Sequence, residues 1–179
     1  TGMIGWRNNE GKVQNAQGNV VMTGTLDVSA EEGGSQSGEV TITGERVGLS
    51  GKIRAKGNSF EEGAGEDNRG GGGGTGGGPG GGSDGGRVLM NSTRQTVVTG
   101  DAEIDTSGTG KGDAGNVVVW SDNVTRFFGA ITGRGGEQGG DGAQVEVSGH
   151  NSLTAHGDID LRAPAGQTGT VLYDPLRIR

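Results

Sequence analysis

Asp158 and Asp160 alternate with Ile159 and Leu161 along one short run, which puts both carboxylates on one face of a strand. His156 stands two residues before Asp158, so a base and two acids lie close together in the chain. Paired carboxylates serve glycoside hydrolysis only at set separations, and strand spacing does not establish one. The simpler expectation is a solvated outer face opposite a buried one, so no catalytic residue is assigned and a polysaccharide-degrading enzyme is kept as the alternative. Gly139-Gly140-Asp141-Gly142 is similar to calcium-binding β-rolls, but an oxygen cage there needs a repeated nonapeptide and the pattern occurs once. Thr41 and Thr43 flank Ile42 as in ice-binding threonine ladders, and no other coil repeats the pair. Trp120, Phe127 and Phe128 could stack on a sugar; the expected role is corner filling or stacking between coils. Asp174-Pro175 reads as a turn ending a strand, because proline removes a ladder donor.

The elements that position these residues must be thin. Hydrophobic residues make up 28% of the 179 and aromatics 3%, well short of a conventional core. Forty-three glycines without a Gly-X-Y period accompany valines and isoleucines in short, evenly spaced runs, a pattern of many tight turns around a narrow interior. The net charge of −7, with no Lys/Arg cluster, argues against nucleic acid and anionic lipid as partners. Cysteine is absent, and His150 and His156 lack metal-ligand spacing, so neither a cofactor nor a metal is expected. No apolar run approaches bilayer-spanning length, and no signal-like segment opens the chain. A first residue Thr1 rather than methionine is expected of a processed or excised piece.

A repeat of 27 residues organises the chain. Gly11/Gly38, Val13/Val40, Val20/Val47, Met22/Leu49, Gly24/Gly51 and Leu26/Ile53 coincide at that spacing. The unit returns at Gly86, Gly115, Gly142 and Gly169, each followed by a β-branched or apolar run, and a second bend recurs at Gly100, Gly129 and Gly157. Period-2 alternation in three short runs per repeat predicts three faces of one coil, with glycines expected to supply positive φ at the bends. No helical stripe is present. The fold class is therefore all-β, a parallel β-solenoid of about six coils in a single domain over 1–179, roughly 25 to 30 Å long at the strand spacing of a sheet. Polar loops at Ser29 to Ser37, Asn58 to Gly85, Asp105 to Ala114, Gly133 to Asp141 and Arg162 to Thr168 fall at one place in the coil and should line one edge. The second, 58–85, is a glycine-rich insertion holding Gly70 to Gly74, either a flexible tolerated loop or a packed extended segment.

From Gly115 to Arg179 the residues themselves resemble a known family. Gly115-Asn116-Val117-Val118-Val119-Trp120-Ser121-Asp122, Thr125-Arg126-Phe127, Gly129-Ala130-Ile131 and Arg134-Gly135-Gly136 are followed by Gly139-Gly140-Asp141-Gly142, Val145-Glu146-Val147-Ser148-Gly149 and Leu172-Tyr173-Asp174-Pro175. This succession resembles bacterial filamentous-haemagglutinin-like exoproteins, adhesins exported by two-partner secretion. Asn123 stands where that family tends to have glycine and Tyr173 where leucine is usual. The resemblance implies a right-handed β-helix, secreted and displayed at the bacterial cell surface.

Thr1 to Trp6 is too short for a convincing cap, and the chain leaves directly from the Val171 to Tyr173 run. Bare solenoid ends invite strand pairing, so the expected function is a structural filament built head to tail, with adhesive or biofilm-matrix contacts through the glycine-rich loops. The partners are then further copies of the chain, or the rest of a longer solenoid, with surface or matrix glycans as further candidates. A stalk of a large secreted adhesin is the alternative.

Overall fold

The computed structural model describes residues 18–31, 37–58 and 81–178. Gly11, Val13, the Thr1 to Trp6 segment and Gly70 to Gly74 lie outside the described residues. Thirteen strands and no helix make up the described chain, so nothing in it is a helix long and apolar enough to cross a membrane. The strands are β1 (Asn19–Met22), β2 (Thr25–Asp27), β3 (Glu39–Leu49), β4 (Lys52–Arg54), β5 (Arg87–Val98), β6 (Glu103–Asp105), β7 (Val117–Ser121), β8 (Val124–Phe127), β9 (Ala130–Thr132), β10 (Gln144–Gly149), β11 (Ser152–Ala155), β12 (Asp158–Asp160) and β13 (Thr170–Leu172).

Every pairing is parallel and joins one coil to the next, as in a β-solenoid. Three faces are present. The first and second share one sheet: β3 and β5 run through both, with a register shift between Gly44 and Arg46, whereas later coils break into β7/β8 and β10/β11. The third face is a separate sheet in the order β12-β9-β6-β4-β2. Each face carries five strands among the described residues, against the expected six coils: the first-face run of the first repeat, with Gly11 and Val13, lies outside them, and the last repeat contributes only the first-face strand β13. Val20 pairs with Val47, Met22 with Leu49 and Leu26 with Ile53, as the 27-residue spacing predicts. The repeat is elastic: Val88 meets Val117 and Val117 meets Val145, spacings of 29 and 28.

The inward row of the third face, Leu26, Ile53, Ile104, Ile131 and Ile159, shows how a thin core suffices. Each aliphatic side chain stacks on its equivalents above and below, so burial comes from neighbouring coils, at about 1.5 to 3 kcal/mol for each enclosed side chain. Phe127 fills the turn from second to third face and is fully buried. Polar side chains also enter the interior where the first face meets the second. Ser92 and Thr96 share a hydrogen bond of 2.8 Å, and the Thr96 and Thr125 hydroxyls donate to the Trp120 and Ser148 carbonyls. No buried side-chain nitrogen or oxygen among the described residues lacks a partner.

The bend glycines act differently from expectation. Positive φ occurs among the described glycines only at Gly18, Gly110 and Gly140. At Gly86, Gly115, Gly142 and Gly169 a Cβ would instead fall on a backbone atom of an adjoining segment; for Gly115 this is the carbonyl oxygen of Gly86. Glycine is needed there because backbones pass in direct contact, not because the chain turns left-handed.

The described parts of the loops joining third face to first stack along one edge, as their sequence positions predict, with Ala30 N–H donating to Lys56 O, Gly57 N–H to Ser107 O and Gly108 N–H to Arg134 O. Asn58 and Ser83 close the long excursion: Asn58 N–H donates to Ser83 Oγ at 2.7 Å and Ser83 N–H to Asn58 O at 3.1 Å. Residues 81–85 are themselves bonded into the rod, Gly85 N–H donating to Asp113 O and Ser83 N–H to Thr109 Oγ1, so the excursion departs and returns at one point.

Candidate functional site

Most of the ion pairs among the described residues lie on the third face and the loops that leave it, with Arg94–Glu45 and Arg46–Glu45 elsewhere. The third-face strands are three residues long, so the central aliphatic points inward and both flanking residues point out. Register therefore builds two outer rows, Thr25-Lys52-Glu103-Ala130-Asp158 and Asp27-Arg54-Asp105-Thr132-Asp160. Opposite charges meet across coils, Lys52 Nζ lying 2.8 Å from Glu103 Oε2.

Each strand-ending aspartate also closes its own turn. The Asp27 carboxylate accepts Ser29 N–H at 3.0 Å, that of Asp105 accepts the N–H and hydroxyl of Ser107, and that of Asp160 accepts Arg162 N–H. Hydrogen bonding from Ser29 holds the Asp27 carboxyl below the usual carboxylate range.

Two residues past the strand end stand Ser29, Lys56, Ser107, Arg134 and Arg162, and two of the cations among them reach the aspartate of the coil above. Lys56 lies 3.6 Å from Asp105, and Arg134 Nε donates to Asp160 at 2.7 Å. Arg162 is the next member of this series; it bonds its own Asp160 at 2.8 and 2.7 Å and is 71% exposed. Asp160 thus sits between two guanidiniums. Hydrogen bonds from Arg162 and then Arg134 hold its carboxyl far below the usual range, and Asp160 in turn raises Arg162.

The residues singled out for chemistry are placed as follows. Asp158 and Asp160 share the outer face, as alternation predicts, but Asp160 is committed to two arginines and remains ionised at neutral pH, unable to donate a proton as a general acid. The His156 ring lies parallel to that of Phe128 in the coil below, 6.1 Å between centroids. Trp120 is half-buried and its indole N–H donates to Asp122 at 2.8 Å, Phe127 is enclosed, and Phe128 is 40% exposed. Thr41 is exposed and Thr43 buried, so the two do not form an exposed pair.

Asp141, from the glycine-aspartate run, belongs to a ladder not anticipated from sequence. Asp84 accepts Asp113 N–H at 2.9 Å, Asp113 accepts Asp141 N–H at 2.7 Å, and Asp141 accepts Gln167 N–H at 2.8 Å. The signal was available: these aspartates recur at 29 and 28 residues, just before bend glycines. Among the described residues no group of three or more His, Cys, Asp or Glu could hold a metal ion.

The second distinctive region is the carboxyl-terminal end of the rod. β13 adds to β10 on the first face, while the third face stops one coil earlier, at β12. The step leaves a recess lined by Ile159, Leu161, Thr168, Gly169 and Val171 together with the charged Asp160 and Arg162. Asp174 N–H donates to Ser148 Oγ as the chain turns beyond β13, and Leu176 to Ile178 then lies along the second face. There Leu176 N–H donates to His150 O, and Arg177 O accepts from Leu153 N–H. Leu176 and Ile178 remain 72% and 68% exposed, and Leu172 and Tyr173 are exposed beside them. At the opposite end Val21 and Leu26 are exposed.

Comparison of the chain with protein-family models, curated proteins and solved structures finds no match.

Proposed function

We propose that this chain is an extracellular, non-catalytic structural rod that lengthens by stacking a further coil on its carboxyl-terminal end, forming a filament. The observation that carries the reading is that end itself: a recess where Ile159, Leu161 and Val171 meet Asp160 and Arg162, beside exposed Leu172, Tyr173, Leu176 and Ile178. Exposed strand edges with apolar flanks are templates for another strand. The stacked glycine loops offer a repeated edge whose individually weak contacts with a surface, a glycan or a neighbouring filament gain by avidity. The placement outside the cell is supported by the resemblance of residues 115–179 to filamentous-haemagglutinin-like exoproteins. The non-catalytic reading is supported by the commitment of Asp160 to two arginines.

Electron microscopy of the purified chain over a range of concentrations tests the reading. Filaments with an axial repeat of about 25 Å, about five coils at the strand spacing, are expected. Discrete rods at every concentration would overturn it in favour of an adhesin stalk. Turnover in a polysaccharide screen that is lost in Asp158→Asn would overturn the non-catalytic assignment.

A further inference from the structure

A groove follows the rod axis along the third face. Two adjoining hollows of about 470 and 540 Å³ meet at Lys56 and Asp105, which line both. The first lies over β2, β4 and β6, and the second continues past Ser107 and Thr132 to Pro164. The floor is the outer row Asp27-Arg54-Asp105-Thr132 with the residues just past each strand end, and the loops at Gly108 to Gly110 and Glu137 to Gln138 form a wall. The groove is open to solvent along its length, with Arg54, Arg134 and Gln138 exposed.

Its chemistry is polar and electrically balanced. Lys52, Arg54, Lys56 and Arg134 are matched by Asp27, Glu103, Asp105 and Glu137, so no net field draws in a polyanion or a polycation. Donors and acceptors alternate from coil to coil, Arg54 standing in register between Asp27 and Asp105. Arg54 makes no ion pair among the described residues, and its guanidinium keeps its donors for a ligand. No lining side chain is aromatic, and Trp120 and Phe128 lie outside the groove, so a ligand there is held by hydrogen bonds rather than by ring stacking.

We propose that this groove binds a linear, uncharged polysaccharide along the rod axis, with Arg54 and the Lys56–Asp105 pair at its centre. The inference rests on the extracellular-rod reading above and gives its glycan contact a defined site. A sugar hydroxyl both donates and accepts, so a vicinal pair can span either a carboxylate or a guanidinium. A pyranose is about as long as one coil is high, roughly 4.8 Å, so successive sugars meet successive coils. Affinity is then spread over several weak contacts in one chain of sugars.

Electrophoresis of the full chain through gels containing hydroxyethylcellulose, laminarin, dextran or mannan, and through gels containing polygalacturonate or heparin, tests the site. At least one uncharged polymer should retard the protein, with little change on adding salt, and neither acidic polymer should. Arg54→Ala should weaken retardation about tenfold, the loss of one charged hydrogen-bonding group. Thr132→Trp, which fills the groove without altering its charge, should abolish retardation, and Arg126→Ala, exposed on the second face, should leave it unchanged. Retardation by no uncharged polymer, or by the acidic polymers instead, would overturn the proposal. So would retardation undiminished in both groove variants, or appearing only after residues 59–80 are removed. Filaments that form without binding any of these polymers would overturn the groove and leave the filament reading standing; single rods that bind would do the reverse.

Discussion

The interior of the rod and its loop edge are stabilised by opposite means. Inside, side chains supply the contacts: Phe127, Ile131 and Val119 are enclosed by equivalents one coil away, and the backbone is kept at strand spacing. At the edge, side chains are mostly missing: glycine backbones pass in contact, and the carboxylates of Asp84, Asp113 and Asp141 each accept an amide from the coil above. A thin solenoid thus has one region intolerant of losing atoms and another intolerant of gaining them.

The largest expected break lies inside. Phe127→Ala should destabilise the rod by about 3 to 5 kcal/mol, the cost of a large core truncation, read as the shift of a chemical denaturation midpoint. Next, at the edge, Gly115→Ala adds a methyl onto the Gly86 carbonyl and should cost about 1 to 3 kcal/mol by overpacking. Gly100 sharpens the contrast. A Cβ there meets only the Phe128 carbonyl, at 3.8 Å, so Gly100→Ala should be neutral or stabilising by up to about 1 kcal/mol. Asp113→Ala removes one rung of the aspartate ladder and should cost about 1 to 2 kcal/mol by the same assay, a charge-assisted bond lost at an exposed site.

Acid should act weakly on the third face. The Asp160 carboxyl is lowered in the folded rod, so its stabilisation is present above the ordinary carboxylate range and is lost as pH falls below it. An exposed pair contributes at most about 1 kcal/mol. The acid-side slope of stability should therefore flatten only slightly in Asp160→Asn. The smallest effect is expected from removing residues 59–80. Joining Asn58 to Gly81 makes Asn58-Gly81-Gly82-Ser83 a four-residue turn that retains the Ser83 N–H to Asn58 O bond. Thermal unfolding should then change by no more than a few degrees, and a large loss would mean that the excursion packs on the rod.

The interior was the more legible of the two regions. Val20/Val47 and Leu26/Ile53 announce themselves because burial demands the same residue class at the same position in every coil. The loop positions followed from the same period. The edge was harder to read because its specificity resides in the backbone. A glycine in the sequence does not show whether a left-handed turn is needed as well as a close passage, as at Gly140, or a close passage alone, as at Gly115; both positions are closed by a carbonyl one coil away. Asp84, Asp113 and Asp141 were readable in principle from their spacing, but an aspartate before a glycine is equally an ordinary turn signal. The role of Arg162 depends on Lys56 and Arg134, whose equivalence appears only once strand ends are aligned to the residue.

Because every ladder bond joins one coil to the next, the hydrogen bonds of the sheets point along the rod rather than across it. Tension applied end to end loads these ladders one after another instead of shearing them all together. The rod should therefore yield in steps, peeling a terminal coil at modest force while the remainder keeps its shape. Each released coil, about 28 residues at roughly 3.4 Å each, would release about 95 Å of chain. A rod of such coils would act as a shock absorber with many small reserves of length.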